Sequence, residues 1–382
     1  MSKQKRKIIF YIKDPNGGPS RFLENIVNIL KTTNNFDFKI ITHIQVKGFF
    51  LNTKKIGFSL DKQSNFSLNK IFLSLINLCL FYKEIIEYKP NIIFSLDIYA
   101  NLTTSLIKYL IPQIKIIHSS RVNLQKHLFE ERNKFFGLFL KKIIIFLYKK
   151  SDKHLVSSKG LKNQLIENFE IEPKNIIVIP NPVNSYLINK LSHKPIQNKQ
   201  LLRSFKNKKV IKIFTMGRFD EQKNLFLVLK VIKALFEKRQ NITLFIIGDG
   251  RLKKDYIKEV KKLKISKSVF FLGWQKNPYK FLRLADLFLH FTNYEGFPNS
   301  LLEAGSLGIF SVASDVDFGP REILTHKSGI LIKNNYSPKH IADLVNNVLD
   351  KKIDIFSRNK IIKEMRRFDI NSLKKRYLAL LN

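Results

Sequence analysis

Two glutamates, Glu295 and Glu303, flank a Gly-Phe-Pro turn and a short apolar run in the segment NYEGFPNSLLEAG, residues 293–305. Pro298 suits the first turn of a helix, where its missing N–H is no loss. A helical rise of about 1.5 Å per residue would put the two carboxylates roughly 8–12 Å apart. This is too far for the paired carboxyl groups of a retaining glycosidase, which lie about 5 Å apart. It suits hydroxyl groups at the two ends of one extended ligand, and a solvated helix start is the alternative.

A second segment supplies positive charge. The stretch TMGRFDEQKN, residues 215–224, runs from a predicted strand through Gly217 and Arg218 to Lys223, where a helix is expected to begin. Glycine lets the backbone approach a ligand, and a helix N-terminus offers unpaired amides. Two cations at the same strand end suit a diphosphate, although an ordinary surface turn would look the same. Hydroxyl-binding carboxylates beside a diphosphate site predict a nucleotide sugar as the ligand.

Short Ile/Val/Phe-rich runs alternate with helix-like stretches along the chain, which is the pattern of parallel α/β sheets. Two series of six strands are predicted, and a polar, basic stretch at 192–209 separates them. The first series is predicted at 7–12, 38–44, 91–95, 114–118, 154–158 and 175–179, and the second at 212–216, 242–247, 269–272, 287–291, 309–313 and 329–332. Each half is expected to be a doubly wound, Rossmann-like domain, with the two facing across a cleft lined by strand ends.

Composition narrows the classes of protein. The chain has 382 residues, an apolar fraction of 44% and one cysteine, Cys79, which fits a reducing compartment without a disulfide framework. No signal peptide is predicted, and the longest uncharged apolar run, 71–82, is shorter than the roughly 20 residues of a membrane span. A cytoplasmic protein, soluble or peripheral on the membrane, is therefore expected.

Charge is the strongest bulk property, with 68 Lys and Arg against 30 Asp and Glu, a net charge of +38. Such a charge attracts nucleic acid or an anionic membrane leaflet, and a biased genome is a further explanation. No zinc spacing, RNA-binding aromatic repeat or helix-turn-helix pattern accompanies it, so nucleic acid is not expected as a partner.

Several motifs together resemble the retaining GT-B glycosyltransferases of family four. In the second half these are GRFDEQKN, GDG at 248–250, FLGW at 271–274 and EGFPNSLLEAG, whose Glu-x7-Glu spacing is similar to that family's paired glutamates. NGGPSRF at 16–22, SDKHLVSSKGLKNQL at 151–165, IPNPVN at 179–184 and GPREIL at 319–324 extend the resemblance over most of the chain. It implies an acceptor-binding domain at 1–195 and a nucleotide-sugar domain at 205–366. A C-terminal helix, about 367–382, either caps the second domain or packs back on the first.

The resemblance also implies roles for single residues. Glu295 would hold hydroxyls of the transferred sugar, and Glu303 those of the ribose. Arg218 and Lys223 would neutralise the diphosphate as the glycosidic bond breaks. His118 would contact the sugar near the reacting carbon, with a buried structural histidine as the alternative.

Other positions would bind the donor through backbone or ring contacts. Gly17 and Gly18 would approach the phosphates from the first domain, and Glu322 is a weaker candidate at the donor sugar. Trp274 would lie near the base, unless it is simply an aromatic at the edge of the core. The remaining donor-binding positions are Gly217, Gly296, Phe297 and Leu301.

The sequence departs from the family pattern at three turns. Ile309 follows Gly308 where a proline is usual, Asn184 replaces an acid, and Pro19 continues the glycine-rich loop. These changes affect local turn geometry. Neither a catalytic metal nor another cofactor is predicted, and the two cations would take the ion's place.

The segment FFGLFLKKIIIFLYKK, residues 135–150, mixes aromatic and aliphatic side chains with four lysines. It predicts either an interfacial helix that binds anionic lipid or a core helix with lysines at its edge.

The resemblance implies a retaining, metal-independent glycosyltransferase. It would move a hexose or N-acetylhexosamine from a nucleoside diphosphate sugar, with UDP the expected carrier, to a glycan or lipid-linked acceptor of bacterial surface polysaccharide, lipooligosaccharide or capsule. A nucleotide-sugar epimerase can share the fold, and a non-catalytic basic membrane or nucleic-acid binder would explain the charge. An NAD-dependent oxidoreductase is disfavoured because no Gly-x-Gly-x-x-Gly follows a strand.

Overall fold

A computed structural model describes residues 4–14, 18–44, 53–58, 68–130, 134–197, 205, 207, 209–350 and 358–382. The chain forms two compact units, Met1–Asn181 with Leu373–Asn382, and Pro182–Ser372. Gly17, the first of the two predicted phosphate-binding glycines, lies outside the described residues. Within those residues, no helix combines the length and the apolar character needed to cross a bilayer.

The first unit contains a parallel sheet of seven strands in the order β3-β2-β1-β4-β5-β6-β7. Its side chains are almost all buried in the central strands, as expected for strands covered on both faces. The strands are β1 (Arg6–Ile12), β2 (Phe36–Thr42), β3 (Lys54–Lys55), β4 (Ile92–Ser95), β5 (Lys115–Ser120), β6 (Lys153–Val156) and β7 (Ile176–Val178). The helices are α1 (Gly18–Lys31), α2 (Leu68–Tyr88), α3 (Ile98–Leu110), α4 (Leu124–Glu130), α5 (Lys134–Tyr148) and α6 (Lys159–Phe169).

The second unit contains a parallel sheet of six strands in the order β10-β9-β8-β11-β12-β13. The strands are β8 (Ile211–Met216), β9 (Ile242–Ile247), β10 (Val269–Gly273), β11 (Leu287–His290), β12 (Ser311–Ser314) and β13 (Gly329–Ile332). The helices that start in this unit are α7 (Ser185–Ser192), α8 (Leu225–Lys238), α9 (Lys253–Lys262), α10 (Tyr279–Leu282), α11 (Asn299–Ser306), α12 (Pro320–Ile323), α13 (Pro338–Asp350), α14 (Arg358–Met365) and α15 (Ile370–Leu381).

Both sheets have the Rossmann strand order, in which the winding direction reverses between the first and fourth strands of each series. The α/β class and the two Rossmann-like units predicted from the sequence are confirmed. All twelve predicted strands are present, shifted by at most two residues, and the two-residue strand β3 was missed. In the second sheet the reversal lies between β8 and β11, where ligands of open α/β sheets bind.

Alternate residues of the second sheet pack into two separate cores. Ile213 and Leu289 belong to the core on one face, whereas Phe214 and Phe288 belong to the core on the other. This two-residue alternation, with both faces apolar, explains why the strands read as continuous hydrophobic runs.

The two units divide at Asn181 and Pro182, earlier than the basic stretch at 192–209 that composition indicated. Val183, just before α7, and Ile188, within it, are buried in a core of the second unit. Asn184 caps α7, because its side chain accepts a hydrogen bond from the Leu187 amide at 2.9 Å. The amide found where the family has an acid thus keeps the cap.

The C-terminal helix α15 contributes Leu373–Asn382 to the first unit. The Tyr377 hydroxyl donates to the Pro180 carbonyl at 2.7 Å, and its ring lies 6.0 Å from that of Phe22, centroid to centroid. The end of the chain therefore packs beside α1.

Gly308 ends α11 in the left-handed region, with φ of 73°. The Ile309 amide donates to the Ala304 carbonyl at 3.0 Å, which closes the turn and uses an N–H that a proline would lack. A Cβ at Gly308 would lie 2.6 Å from the Arg358 Cβ.

Replacement of this glycine tests the turn. We expect Gly308→Ala to lower the free energy of unfolding by at least ~2 kcal/mol, because it combines a left-handed backbone with a steric clash. Gly273→Ala is the matched control, since Gly273 has φ of 70° but no atom within 4 Å of an added Cβ. Urea unfolding of both variants measures the difference, and equal losses would show that the contact with Arg358 has no effect.

Candidate active site

The loops that follow β8 and β11 are joined at the point where the second sheet reverses direction. The Asn293 amide donates to the Gln222 carbonyl at 2.9 Å, and the Thr292 hydroxyl donates to the same oxygen at 2.8 Å. The Gln222 side chain donates in return to the Tyr294 carbonyl at 2.9 Å. These bonds hold Lys223 and Glu295, one from each loop, beside each other.

Glu295 is buried, with a side chain 7% exposed, and accepts from two donors. The Lys223 ammonium forms an ion pair with its Oε1. His290, the last residue of β11, lies on the same oxygen, with 3.1 Å between its Nε2 and Oε1. A buried carboxylate needs such partners, because burial without them would disfavour its charge.

The charge state of this cluster follows from burial and pairing. Burial opposes ionisation of Glu295, but the Lys223 ammonium and His290 outweigh it and lower the pKa of Glu295 to about 2. Burial also lowers the pKa of His290, against the opposing effect of Glu295. At neutral pH Glu295 is therefore a carboxylate and His290 a neutral imidazole.

A neutral His290 must donate from Nε2 to reach the carboxylate, so its Nδ1 is an acceptor. The Ser300 hydroxyl, in the first turn of α11, lies 3.3 Å from that Nδ1 and can supply the proton of this bond. Neither residue is among the site residues expected from the sequence, because the run LFLHF resembles a buried strand. The signal for His290 is a polar residue at the end of an otherwise apolar strand.

Packing against the Lys223 side chain explains why position 217 is a glycine. A Cβ there would lie 3.3 Å from Cγ of Lys223, so the glycine makes room for the lysine stem. Gly248, which follows β9, is required more strictly, since its φ is 149° and a Cβ would lie 1.9 Å from the Gly217 carbonyl oxygen.

Arg218 lies just after β8, and its side chain contacts neighbouring surface residues. Its guanidinium lies 3.3 Å from the Asp220 carboxylate and 3.1 Å from the Gln222 side-chain oxygen. Its side chain is 61% exposed. The structure thus brings Lys223 and Glu295 together and leaves Arg218 at the surface beside them.

Glu303 lies on α11, which follows the Glu295 loop in the chain. It is buried, and the Tyr279 hydroxyl donates to its Oε1 at 2.9 Å. Tyr279, at the start of α10, was not singled out from the sequence because nothing local links it to a glutamate 24 residues later. Pro298 occupies the position before the first helical residue of α11, one place earlier than predicted.

The side chains of Phe297 and Leu301 belong to the core, so only their backbone amides remain candidates for ligand contact. The carbonyl of Gly296 lies against another loop, because a Cβ at Gly319 would be 2.8 Å from it. Gly319 has φ of 90° and precedes α12, which carries the half-buried Glu322. The turn at Gly296 and the Glu322 loop are therefore in contact.

Trp274 follows β10, the edge strand of the second sheet, and is 63% exposed. Its side chain does not belong to either core of the second unit, and its contact with a base stays a prediction. Gly18, the first residue of α1, is exposed in the first unit.

The predicted role of His118 is not supported by its position. The residue lies within β5 rather than beyond its end, is 0% exposed, and has its Nε2 3.2 Å from the Thr104 hydroxyl. Burial lowers the pKa of His118 well below its usual range. It is a neutral core histidine between α3 and α5, inaccessible to a sugar in this structure.

Among the described residues, no three His, Cys, Asp or Glu side chains are grouped in a way that would hold a metal ion.

The ionised state of Glu295 predicts a pH dependence of stability. Its pKa is lowered on folding, so its contribution is complete above the unfolded value near 4.5 and is lost as pH falls toward 2. We expect Glu295→Gln to destabilise the protein by about 2–3 kcal/mol at pH 7 and much less at pH 3. Urea unfolding at both pH values measures the difference, and a penalty that does not depend on pH would contradict the ion pair.

The chain is similar to known proteins over about two thirds of its length. It is 31% identical over 259 residues to a protein of Methanocaldococcus jannaschii named "uncharacterized glycosyltransferase MJ1059", a match covering 66% of this chain and 63% of that protein. It is 28% identical over 239 residues, 62% of each chain, to a Campylobacter jejuni enzyme named N-acetylgalactosamine-N,N'-diacetylbacillosaminyl-diphospho-undecaprenol 4-alpha-N-acetylgalactosaminyltransferase. The chain thus spans less than two thirds of the length of these relatives.

Solved structures share the fold over nearly the whole chain. Anabaena Alr3699/HepE, solved in complex with UDP and glucose, superimposes with a TM-score of 0.78 at 16% identity, covering 98% of this chain and 99% of that one. A glycosyltransferase from Rickettsia africae gives a TM-score of 0.76 at 15% identity, with 99% and 98% covered. At these identities the likeness shows the fold, which is that of GT-B glycosyltransferases.

Two family models match consecutive parts of the chain. The model for "Glycosyltransferase Family 4" matches residues 16–186, and the model for "Glycosyl transferases group 1" matches residues 197–368. Together they leave only the two ends and a short linker unmatched. The chain therefore belongs to the GT-B glycosyltransferases of family four, as its motifs predicted.

Proposed function

We propose that this protein transfers a hexose or N-acetylhexosamine from a UDP-sugar to a glycan or lipid-linked acceptor in the synthesis of a bacterial surface polysaccharide. The observation that carries the proposal is the buried ion pair of Lys223 with Glu295, backed by His290, at the carboxyl ends of β8 and β11. Family membership makes sugar transfer the reaction class to test.

Lys223 is the residue we assign to the leaving diphosphate. As the glycosidic bond breaks, negative charge develops on the phosphate oxygens, and a cation held in place by a buried partner stabilises it without reorganisation. Glu295 supplies that partner. Arg218, exposed at the same strand end, is suited to add a second cation when the diphosphate is bound, because its present contacts are at the surface.

Glu295 has a second role that follows from its charge state. With a pKa near 2 it is ionised at neutral pH and cannot serve as a general acid. It can only accept hydrogen bonds, so we assign it to hydroxyls of the transferred sugar. Buried Glu303, already bonded to the Tyr279 hydroxyl, is assigned to the ribose hydroxyls in the same way.

Three further features are proposed on the basis of the family and its relatives. Retention of the anomeric configuration comes from the family alone. We propose that the reaction needs no metal ion, because Lys223 and Arg218 supply the positive charge that would neutralise the diphosphate. The choice of UDP is supported by the complexes of the similar Anabaena protein with UDP and glucose.

The acceptor is assigned by class only. The Campylobacter relative is named for an acceptor on diphospho-undecaprenol, and a Salmonella relative is named as a lipopolysaccharide 1,6-galactosyltransferase. We propose an acceptor of this lipid-linked kind, and therefore action at the cytoplasmic surface of the membrane.

Turnover by matched variants tests the proposal. UDP release from a panel of UDP-sugars, with a polyprenyl diphosphate glycan as acceptor, should fall by roughly 10²–10³-fold in Lys223→Ala, because the developing diphosphate charge loses its cation. Lys230→Ala, an exposed lysine on α8, is the control and should retain the parent rate.

The same assay examines the other assignments. Arg218→Ala should lose activity, whereas Arg251→Ala, which removes an equally exposed arginine, should not. Activity should persist in excess EDTA, and NMR should show a product with the donor's anomeric configuration. Equal rates in Lys223→Ala and Lys230→Ala, with measurable turnover in the parent, would refute the assignment of Lys223.

A further inference from the structure

The helix α3 buries several polar side chains beside Ile107 and leaves several of its apolar side chains exposed. Its buried face carries Asn101, Thr104 and Ser105, whereas Leu106, Tyr109 and Leu110 are exposed. In a helix that covers a sheet next to water, the apolar stripe should face the sheet. An exposed apolar stripe on such a helix indicates a second apolar environment on its outer side.

The buried polar residues of α3 have partners of their own. The Ser95 hydroxyl donates to the Asn101 side-chain oxygen at 2.6 Å, and the Asn101 side-chain amide donates to the Tyr148 hydroxyl at 3.1 Å. The Thr104 hydroxyl lies 3.2 Å from Nε2 of His118. This network fixes the orientation of α3, so its apolar side chains cannot turn inward without breaking it.

Helix α5 packs beside α3 and continues the exposed apolar surface. Successive right-handed crossovers from β4 to β5 and from β5 to β6 place both helices on one face of the sheet. The rings of Tyr109 and Phe146 stack with centroids 6.4 Å apart. We call this surface the α3–α5 face, and its exposed apolar residues are Leu106, Tyr109, Leu110, Leu138, Phe139 and Phe146.

Lysines surround these apolar residues. Lys142 is exposed on α5, and Lys149 and Lys150 follow its last turn. The Lys150 ammonium lies 5.2 Å from the Tyr109 ring centroid. The sequences of α3 and α5 contain no Asp or Glu. Glu170, just after α6, forms an ion pair with Lys149 at 2.7 Å. The face therefore combines aromatic and aliphatic side chains with the positive charge of Lys142 and Lys150.

We infer that the α3–α5 face binds the surface of an anionic lipid bilayer. A bilayer interface accepts apolar side chains and attracts lysines at the same time. A second copy of the chain is a poorer occupant, because it would present the same lysines and a net charge of +38. A nucleic acid would match the lysines but leave the leucines exposed. The inference does not depend on the proposed sugar transfer.

Helix α2, on the same face of the sheet, extends the apolar surface. The inner residues of α2, such as Phe81 and Ile85, share a core with Ile107 of α3. The outer residues Phe72 and Leu75 of α2 are more than half exposed. A contact with a bilayer through three neighbouring helices is therefore geometrically available to this unit.

Co-sedimentation with vesicles tests the inference. The full-length protein is mixed with vesicles of 70% phosphatidylcholine and 30% phosphatidylglycerol in 50 mM and 500 mM salt, and with pure phosphatidylcholine vesicles. We expect binding to the anionic vesicles at low salt, at least tenfold weaker binding at high salt, and at least tenfold weaker binding to the neutral vesicles.

Two pairs of variants separate this face from general charge. Lys142→Glu with Lys150→Glu should lower binding at least tenfold, and Lys258→Glu with Lys261→Glu on α9, an equal change of charge at exposed positions, should lower it less than twofold. Tyr109→Ser with Phe146→Ser should also lower binding at least tenfold. Its control is Tyr186→Ser with Trp274→Ser, which removes two exposed aromatic rings of the second unit. Thermal unfolding confirms that every variant is folded.

Three results would overturn the inference. The first is no binding of the parent protein to anionic vesicles at 50 mM salt. The second is an equal loss of binding in the face variants and their controls, which would show that charge or exposed aromatic area acts from anywhere on the surface. The third is a dimer in sedimentation velocity that Tyr109→Ser with Phe146→Ser dissociates, since the face would then be covered by a second copy.

Discussion

The ion pair of Lys223 with Glu295 is the interaction on which the candidate site depends. A carboxylate buried to this degree is stable only with a cation and hydrogen-bond donors around it. Its cation comes from the loop after β8, and the carboxylate itself comes from the loop after β11. The requirement to pair the charge therefore holds the two loops in one arrangement, and His290 fixes the carboxylate from the side of the strand.

The strand order explains why these loops meet. In the order β10-β9-β8-β11-β12-β13, β8 and β11 are neighbours although their last residues, Met216 and His290, lie far apart along the chain. The helices after them, α8 and α11, lie on opposite faces of the sheet, as the separate cores of Leu229 and Leu301 indicate. The loops diverge above the sheet and leave polar groups at its edge, which is the general location of ligands in open α/β folds. Close packing of glycines, such as Gly248 against the Gly217 carbonyl, keeps the backbone near that edge.

Much of this arrangement could be predicted from local sequence patterns. Buried parallel strands are continuous apolar runs, and polar residues directly after them, such as Lys223 and Glu295, are expected at one edge of the sheet. Contacts between distant segments could not be predicted in this way. The bond from Tyr279 to Glu303, and the choice of His290 as partner of Glu295, depend on which side chains the folded sheet brings within hydrogen-bond distance. His118 shows the opposite error, because a histidine in an apolar strand was placed at the strand end when β5 continues for two more residues.

The position of the boundary between the two units could not be predicted from composition either. A polar, basic stretch marks a surface segment, but the division between packed units depends on where Val183 and Ile188 are buried.

Calorimetric titration with UDP tests the assignment of the site most directly. Three proteins are titrated: the parent, Glu303→Gln, and Glu237→Gln, which changes an exposed residue on α8 and serves as the control. We expect UDP to bind the parent and the control alike and to bind Glu303→Gln at least tenfold more weakly, because an amide nitrogen replaces one of the two oxygens that can accept from the ribose hydroxyls. Equal affinity in all three, or no UDP binding by the parent, would contradict the assignment of this strand edge to a UDP-sugar.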